Sequence, residues 1–189
     1  MDEIWGGGSE FPLLFGPSAC VCGQANNSIA MFLAAADGNG ARLDGLTFHS
    51  YPLGGGELAA KVVQPELLRG VATATDCYLQ AGRQHSKSLR LSLTESNSNA
   101  ATGANSGQNR YANGLWYVAS LGASALNGLQ LHSRWKLWDP RVAYRPLALT
   151  QTFGFLNKDF DRVTPDFFVA VLHKRLVGDG APLPVASSN

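Results

Sequence analysis

The stretch Leu89-Arg90-Leu91-Ser92-Leu93-Thr94-Glu95 is a short segment of strand-forming residues that ends in a carboxylate. It runs directly into the polar loop Ser96-Asn97-Ser98-Asn99, and a helical pattern follows from about residue 108 to residue 121. A short apolar, strand-forming segment that ends in polar residues and is followed by a helical pattern is typical of a sheet with crossover helices. The stretch therefore predicts one strand–helix unit of an α/β fold, with Glu95 at the end of the strand.

Three other apolar segments have the same layout. Strands are expected at residues 11–17, 43–51 and 129–137, and helices at 28–36, at 57–82 with breaks near Pro65 and Gly70, and at 165–176. Because a βαβ unit needs roughly 30 residues or more, this spacing favours a parallel sheet with crossover helices. We expect residues 11–178 to form this α/β region, residues 1–10 to be a poorly defined N-terminal segment, and residues 179–189 to be a flexible tail.

Composition limits the classes of function. The chain has 189 residues, a formal net charge of +1 and 45% hydrophobic residues. Nucleic-acid binders carry a clear basic excess, so this balance predicts no nucleic-acid partner, and the apolar content excludes a disordered chain. The longest apolar run, residues 29–36, is far shorter than the ~20 residues of a membrane-spanning helix, and the first residues do not resemble a signal peptide.

The sequence predicts neither a metal site nor a cofactor. Its three cysteines and four histidines are not grouped at the short spacings of metal ligands, and Cys20 and Cys22 are too close in one strand to bridge each other comfortably. The Gly54-Gly55-Gly56 loop lacks the Gly-Lys-Ser/Thr ending of a phosphate-binding loop. Nucleotide binding is therefore not expected.

The carboxyl ends of the predicted strands carry the candidate functional residues, since ligands of such sheets bind at that edge. Glu95 stands at the mouth of an apolar strand, where low-dielectric surroundings tune a carboxylate for nucleophilic or acid–base chemistry. Alternatively, Glu95 caps its loop by accepting bonds from backbone N–H groups. The strand-end residues are Ser18, His49, Tyr51, Glu95 and Arg134.

Three further strand-end residues have more than one interpretation. His49 and Tyr51 lie two residues apart and so on the same side of a strand. They either face a polyhydroxylated ligand or Glu95, or they pack as structural residues. Arg134 either binds a carboxylate substrate, or holds Glu95 ionised, or pairs with some other acid as a structural ion pair.

Aromatic residues also have two interpretations, because their rings either stack on sugars or fill the core. The core is favoured for Trp116 and Tyr117, which lie in a predicted helix. The rings considered are Trp116, Tyr117, Trp135 and Trp138.

Four groups of residues together resemble a known family. They are Thr47-Phe48-His49-Ser50-Tyr51, then Leu93-Thr94-Glu95-Ser96-Asn97-Ser98, then Gly122-Ala123-Ser124-Ala125 leading to Arg134, and finally residues 167–178. In this order they resemble heparanase and the wider family 79 of glycoside hydrolases, which act on β-glucuronides. The resemblance extends from about residue 14 to residue 178, and residues 95–116 match almost without gaps.

The resemblance implies a partial (β/α)8 TIM barrel in which these four units are strands five to eight. It implies that Glu95 is the nucleophile of a retaining mechanism. It also implies that His49 and Tyr51 belong to the active site, with Tyr51 close enough to hydrogen-bond the nucleophile.

The implied substrate is a polysaccharide or glycoconjugate that contains glucuronic acid. The family holds the uronate carboxylate with backbone amides of a glycine run, which here reads Ala101-Thr102-Gly103. Thr102 and Gly103, together with Arg134, are therefore the expected substrate contacts, and Phe153 stands where a tyrosine is expected. By resemblance the location is extracellular, lysosomal or vacuolar, including membrane-associated forms.

The chain departs from the family in one essential group. Retaining hydrolysis needs a second carboxyl group about 5–5.5 Å from the first, and the family supplies it from an Asn-Glu pair that ends strand four. This chain contains no Asn-Glu pair, and neither Glu10 nor Glu57 has a positional argument as a substitute. We therefore expect a half-barrel that is inactive alone, with a missing N-terminal half or a second copy of the chain as its partner. The alternative is a non-catalytic carbohydrate-binding or interaction module derived from such a hydrolase.

Overall fold

A computed structural model describes residues 13–20, 26–54, 61, 63–84, 89–100, 111–137, 155–156 and 163–177. The strands are β1 (Phe15–Ala19), β2 (Gly45–Ser50), β3 (Arg90–Ser96) and β4 (Leu131–Arg134). The helices are α1 (Asn26–Gly38), α2 (Pro65–Leu68), α3 (Gly70–Gln84), α4 (Tyr111–Leu126) and α5 (Pro165–Val177). All four strands are parallel and lie in the order β1-β2-β3-β4. The predicted succession of four strand–helix units is confirmed.

The boundaries differ from the predicted ones mainly at the ends of elements. β1 begins at Phe15 rather than at residue 11, and β4 ends at Arg134 rather than at residue 137. The predicted helix breaks are the starts of α2 at Pro65 and of α3 at Gly70, because proline fits the first turn of a helix, where its missing N–H is not needed. The predicted N-terminal segment and tail, residues 1–10 and 179–189, lie outside the described residues.

The two central strands are buried on both faces. Leu46 and Phe48 in β2 and Leu93 in β3 are fully buried, and the intervening Thr47 is almost so. Helices α1, α3 and α4 cover these strands, and the rings of Phe48 and Tyr78 stack with their centroids 4.7 Å apart. In β3 the polar Ser92 is 5% exposed between two buried leucines, as expected for a parallel sheet that is covered on both faces. The large hydrophobic side chains of the helices that are fully buried are Ile29, Leu33, Val71, Tyr78 and Trp116.

Gly45 lies where three strands come together. A Cβ atom at this position would be 2.4 Å from the Phe15 ring and 2.6 Å from the carbonyl oxygen of Arg90. Neither the ring nor the backbone of a central strand has room to move that far. Glycine is therefore required for this register, which in turn fixes the relative positions of the strand ends.

The outer strands of the described sheet are β1 and β4, each paired on one side. Large apolar side chains are exposed next to both of them: Leu13 is 50% exposed, Leu131 50% and Leu137 62%. None of the helices in the described part of the chain combines the length and apolarity needed to cross a bilayer.

Candidate active site at the carboxyl edge of the sheet

Two β-bulges shape the carboxyl edge of the sheet. The register of the β1–β2 pair shifts around Ser18, which is the extra residue on β1. The register of the β2–β3 pair shifts at Thr94, and His49 then lies opposite Glu95. Bulges bend a strand and re-aim its side chains, and residues directly opposite each other on neighbouring strands share a face. These two irregularities bring side chains from three strands together. We call Ser18, Cys20, His49, Tyr51, Thr94 and Glu95 the Glu95 cluster.

Glu95 is held on both sides of its carboxylate. The Tyr51 hydroxyl donates a hydrogen bond to Oε1 at 2.5 Å, and Oε2 lies 3.8 Å from His49 Nδ1. The Glu95 side chain is nevertheless 25% exposed. The carboxylate is therefore fixed in orientation and still accessible from solvent.

The loop that follows Glu95 is capped by another residue. The N–H of Asn97 donates to the Ser50 carbonyl at 3.2 Å, and the N–H of Ser98 donates to the Asn97 side-chain oxygen at 2.8 Å. Asn97, rather than Glu95, thus provides the loop cap at these positions. The geometry favours the interpretation in which Glu95 is available for chemistry.

The Tyr51 hydroxyl acts as a neutral donor. Burial raises the pKa of Tyr51 above its usual value, and the hydrogen bond to Glu95 and the charge of that carboxylate raise it further. The phenol therefore keeps its proton at physiological pH and donates it to Glu95 in a hydrogen bond.

The imidazole of His49 connects Glu95 to the end of β1. Ser18 Oγ lies 2.8 Å from His49 Nε2 and 3.2 Å from Thr94 Oγ1, and Cys20 Sγ lies 3.5 Å from His49 Nδ1. Cys20 has a free thiol. A hydroxyl from β1 and the thiol directly after β1 therefore contact the two nitrogens of the ring.

Ser18 has a strained backbone. Its φ of 63° is in the left-handed region, which costs a residue with a Cβ about 1–2 kcal/mol. The N–H of Ser18 donates to Thr47 Oγ1 at 2.8 Å, and this bond stabilises the bulge. Because the Ser18 side chain is exposed, packing in the core does not offset the strain.

Arg134 belongs to a second, buried cluster. Its Nη2 lies 2.6 Å from Asp166 Oδ2, and the two side chains are 2% and 0% exposed. Asp166 Oδ2 also accepts a hydrogen bond from Asn113 at 2.6 Å, and Asn113 in turn accepts one from Ser98. This geometry favours the structural ion pair for Arg134, whereas its role as a substrate ligand stays a prediction. We call Arg134, Asp166, Asn113 and Ser98 the Arg134 network.

Other predicted residues have mixed outcomes. Trp116 is 0% exposed and Tyr117 5% exposed, so both rings lie in the core as expected, whereas Trp135 is 41% exposed just after β4. The remaining predicted residues lie outside the described residues: Thr102, Gly103, Phe153, Trp138, Glu10, Glu57 and Cys22.

Several polar residues of these clusters were not anticipated. Cys20 and Thr94 enter the Glu95 cluster only because of the bulges, and Asp166 is the partner that sequence analysis did not assign to Arg134. His132 was noted only as an isolated histidine, yet its ring contacts Ser96 Oγ at 2.8 Å and Ser124 Oγ at 2.7 Å. The one available signal was the number of small hydroxyl residues near the strand ends.

Two other features, possible metal ligands and an apolar groove, were compared with the position of the Glu95 cluster. Within the described ranges, no three His, Cys, Asp or Glu side chains are placed to hold a metal ion. A groove of about 510 Å³ between α4 and α5 is lined by apolar residues such as Leu115, Phe168 and Leu172. No residue of the Glu95 cluster lines it, so we place the candidate chemistry at the strand ends.

Comparison with known proteins places this edge in context. No family model matches the chain. The chain is 26% identical, over 141 residues, to heparanase-like protein 2 of Arabidopsis thaliana, an alignment that covers 73% of this chain and 24% of that protein. The chain therefore resembles a heparanase-like protein. It spans about a quarter of the length of this relative.

Solved structures with the same fold are glycoside hydrolases. A family-39 enzyme from Xanthomonas axonopodis pv. citri superposes with a TM-score of 0.71 at 19% identity, over 93% of this chain and 34% of that one. A monomeric β-xylosidase from Caulobacter crescentus superposes with a TM-score of 0.64 at 22% identity, over 83% and 32%. At these identities the similarity shows the fold alone. The predicted partial TIM barrel is confirmed, and the fold is that of glycoside hydrolases.

Proposed function

We infer that the chain is the part of a retaining glycoside hydrolase barrel that carries the nucleophile, and that Glu95 is this nucleophile. The observation that carries the proposal is the fixed but exposed carboxylate, with Tyr51 donating to Oε1 at 2.5 Å and the side chain 25% exposed. A carboxylate nucleophile needs a fixed orientation and an open path to the anomeric carbon. The similarity to a heparanase-like protein supports a carbohydrate as substrate.

The proposed substrate class is a polysaccharide or glycoconjugate that contains glucuronic acid. The similarity to a heparanase-like protein supports this choice. His49 and Tyr51 would contact the sugar beside Glu95, and the backbone amides of Thr102 and Gly103 would bind its carboxylate. Arg134 is left out of this subsite because Asp166 already binds its guanidinium.

The proposed reaction has two steps. Glu95 attacks the anomeric carbon and forms a glycosyl-enzyme, which water then hydrolyses. Departure of an ordinary alcohol needs protonation by a second carboxyl group, and the family's Asn-Glu pair is absent from the 189 residues. We therefore expect these residues alone to hydrolyse no unactivated glucuronide.

The test uses a 2-deoxy-2-fluoroglucuronyl fluoride, because fluoride leaves without a general acid. We expect the chain to gain the mass of one fluoroglucuronyl group on the peptide that contains Glu95. Glu95→Gln abolishes the adduct, whereas Glu66→Gln, which alters an exposed carboxylate in the first turn of α2, does not. An adduct that persists in Glu95→Gln would refute the assignment. Hydrolysis of an alkyl glucuronide by the chain, abolished by Glu95→Gln, would refute the expected inactivity.

Binding without catalysis is a second candidate function. Trp135 is 41% exposed immediately after β4, and Lys136 Nζ lies 5.6 Å from the centre of its ring. An exposed aromatic ring beside a cation suits an acidic sugar, which stacks on the ring and pairs with the charge. Calorimetric titration with glucuronate oligosaccharides tests this function. Binding that Trp135→Ala weakens supports it. The absence of both heat and a shift in the melting temperature excludes it.

The open sheet suggests a partner. β1 and β4 each pair on one side in the described sheet, and unpaired strand edges are normally covered in native proteins. We propose that the other half of the barrel, or a second copy of this chain, covers them. Light scattering of the 189 residues separates these cases, because a monomer excludes the homodimer.

A disulfide supports the proposed location. Cys77 in α3 is disulfide-bonded, and disulfides persist in oxidising compartments. An extracellular, lysosomal or vacuolar location fits this observation.

A further inference from the structure

Ser18, His49 and Glu95 form a continuous array of hydroxyl, imidazole and carboxylate. Ser18 Oγ lies 2.8 Å from His49 Nε2, and Glu95 Oε2 lies 3.8 Å from His49 Nδ1. The two nitrogens of one ring thus face a hydroxyl on one side and a carboxylate on the other. We propose that Ser18 is a second nucleophile of this edge and that carboxylic esters acylate it.

The tautomer of His49 follows from its neighbours. Nδ1 has two neighbours, the Cys20 sulfur at 3.5 Å and the Glu95 carboxylate at 3.8 Å. We assign the proton to Nδ1, because a lone pair there would face the negative charge of the carboxylate, whereas the sulfur also accepts a hydrogen bond. The lone pair of Nε2 then accepts the Ser18 hydroxyl hydrogen, which is the arrangement a general base requires. Tyr51 binds the other carboxylate oxygen at 2.5 Å and keeps Oε2 turned towards the ring.

The backbone presents the Ser18 hydroxyl to solvent. Ser18 is the extra residue of a bulge, its φ is 63° and its side chain is exposed. A strained serine at the end of a strand is the arrangement that exposes the nucleophile in other serine hydrolases. Strain at a position without a packing role points to function. Thr94 Oγ1, 3.2 Å from Ser18 Oγ, fixes the hydroxyl from a second direction.

The reaction needs only an ester and water. Ser18 Oγ attacks the carbonyl carbon, and its proton passes to His49 Nε2. The bond from the carbonyl carbon to the alcohol oxygen breaks, and the alcohol leaves with that proton. Water then attacks the acyl-serine, again giving its proton to His49, and a carboxylic acid is released as Ser18 recovers its hydrogen. Glu95 positions His49 and does not touch the ester.

The ester class follows from the shared edge. If sugars bind beside Glu95 as proposed above, the ester is an O-acyl group on a sugar hydroxyl. This choice of substrate rests on the proposed function, whereas the acylation of Ser18 does not. The two reactions have different nucleophiles, Glu95 and Ser18, and each has a separate covalent probe.

The experiment treats the complete 189-residue chain with a fluorophosphonate, which phosphonylates activated serines without any sugar recognition. Intact-mass and peptide analysis is expected to give one adduct, on Ser18. Ser18→Ala should abolish it, His49→Gln should slow it by about 10²-fold or more through loss of the base, and Ser133→Ala, a serine in β4, should leave it unchanged. Fragmentation of the labelled peptide separates an adduct on Ser18 from one on the neighbouring Cys20 thiol.

Each result decides the proposal. If circular dichroism shows that the chain is folded and no adduct forms, the proposal is overturned. An adduct on Cys20 or on another serine overturns it as well. If Ser18→Ala fails to fold, His49→Gln decides, since unchanged labelling there also overturns the proposal. Failure of the fluoroglucuronyl probe at Glu95 leaves this result unaffected. The two proposals therefore fail separately.

Discussion

The Glu95 cluster and the Arg134 network lie at the same edge of one sheet and each contains a carboxylate bound by its neighbours. They differ in burial and in the charge of those neighbours. Arg134 and Asp166 are 2% and 0% exposed and lie 2.6 Å apart, whereas Glu95 is 25% exposed and lies 3.8 Å from His49. The Asp166 carboxylate is paired with a guanidinium, whereas the Glu95 carboxylate is bound by a neutral phenol.

The difference separates structural from functional charge. Burying a charge costs several kcal/mol unless close, well-oriented partners compensate it, so the Arg134 network has two donors to Asp166 Oδ2 from Arg134 and one from Asn113. These three bonds join β4, α4 and α5. Glu95 makes fewer bonds and keeps its charge accessible. The following predictions test this contrast, from the largest expected effect to the smallest.

Removing Asp166 should have the largest effect on stability. Asp166→Ala leaves the Arg134 guanidinium buried without its carboxylate, and we expect the free energy of unfolding to fall by about 3–5 kcal/mol. Urea unfolding followed by circular dichroism measures it. The control is Asp76→Ala, an exposed position on α3, with an expected change of no more than about 0.5 kcal/mol. Equal losses in the two variants would contradict a structural role for the network.

The buried histidine next to the network should make stability depend on pH. Burial, together with the charge of Arg134, lowers the pKa of His132 from 6.5 to about 4. As the pH falls, His132 is protonated near pH 6.5 in the unfolded chain but only near pH 4 in the folded chain. The resulting stability is complete above pH 6.5 and is lost as the pH falls to 4, an effect on the order of 3 kcal/mol.

The measurement compares wild type with His132→Gln. We subtract the free energy of unfolding of His132→Gln from that of the wild type, which removes the contribution of all other titrating groups. This difference should fall as the pH falls from 7 to 4.5. A difference that stays constant across this range would show that His132 is protonated equally in both states.

Glu95 could be assigned to the strand end from sequence because an apolar strand followed by a polar loop marks the edge of a sheet. The same reasoning placed His49 and Tyr51 on one side of their strand. The bulges could not be predicted, since a bulge shifts the register by one residue. In a strand buried on both faces, polar and apolar residues are enclosed alike, so their order does not reveal the shift. The contact of Ser18 with His49 depends on that register.

The pairing of Arg134 with Asp166 was also beyond the sequence. The partners lie 32 residues apart on a strand and a helix, and no local spacing rule connects them. Sequence analysis therefore left all three interpretations of Arg134 open. It identified the residues of the edge without showing which charges the fold had already paired.

The Tyr51–Glu95 bond should contribute less than the buried ion pair. Tyr51→Phe removes a hydroxyl from a partly exposed carboxylate, so we expect a loss of about 1 kcal/mol in the free energy of unfolding. A double-mutant cycle with Glu95→Gln isolates the coupling between the two side chains. A coupling of about 3–5 kcal/mol, as large as the loss expected for Asp166→Ala, would remove the contrast between the two clusters.

The smallest predicted effect concerns the strain at Ser18. Ser18→Ala and Ser18→Gly both remove the hydroxyl, so they differ only in the cost of a Cβ at φ 63° and in the greater freedom of glycine in the unfolded chain. We expect Ser18→Gly to be more stable than Ser18→Ala by roughly 0.5–1 kcal/mol in urea unfolding. At Ser133, which has no positive φ, the order should reverse, because glycine there only weakens a strand. If the Gly and Ala variants have the same order of stability at both sites, the backbone of Ser18 is not strained. The strain would then no longer support a role of the bulge in presenting a nucleophile.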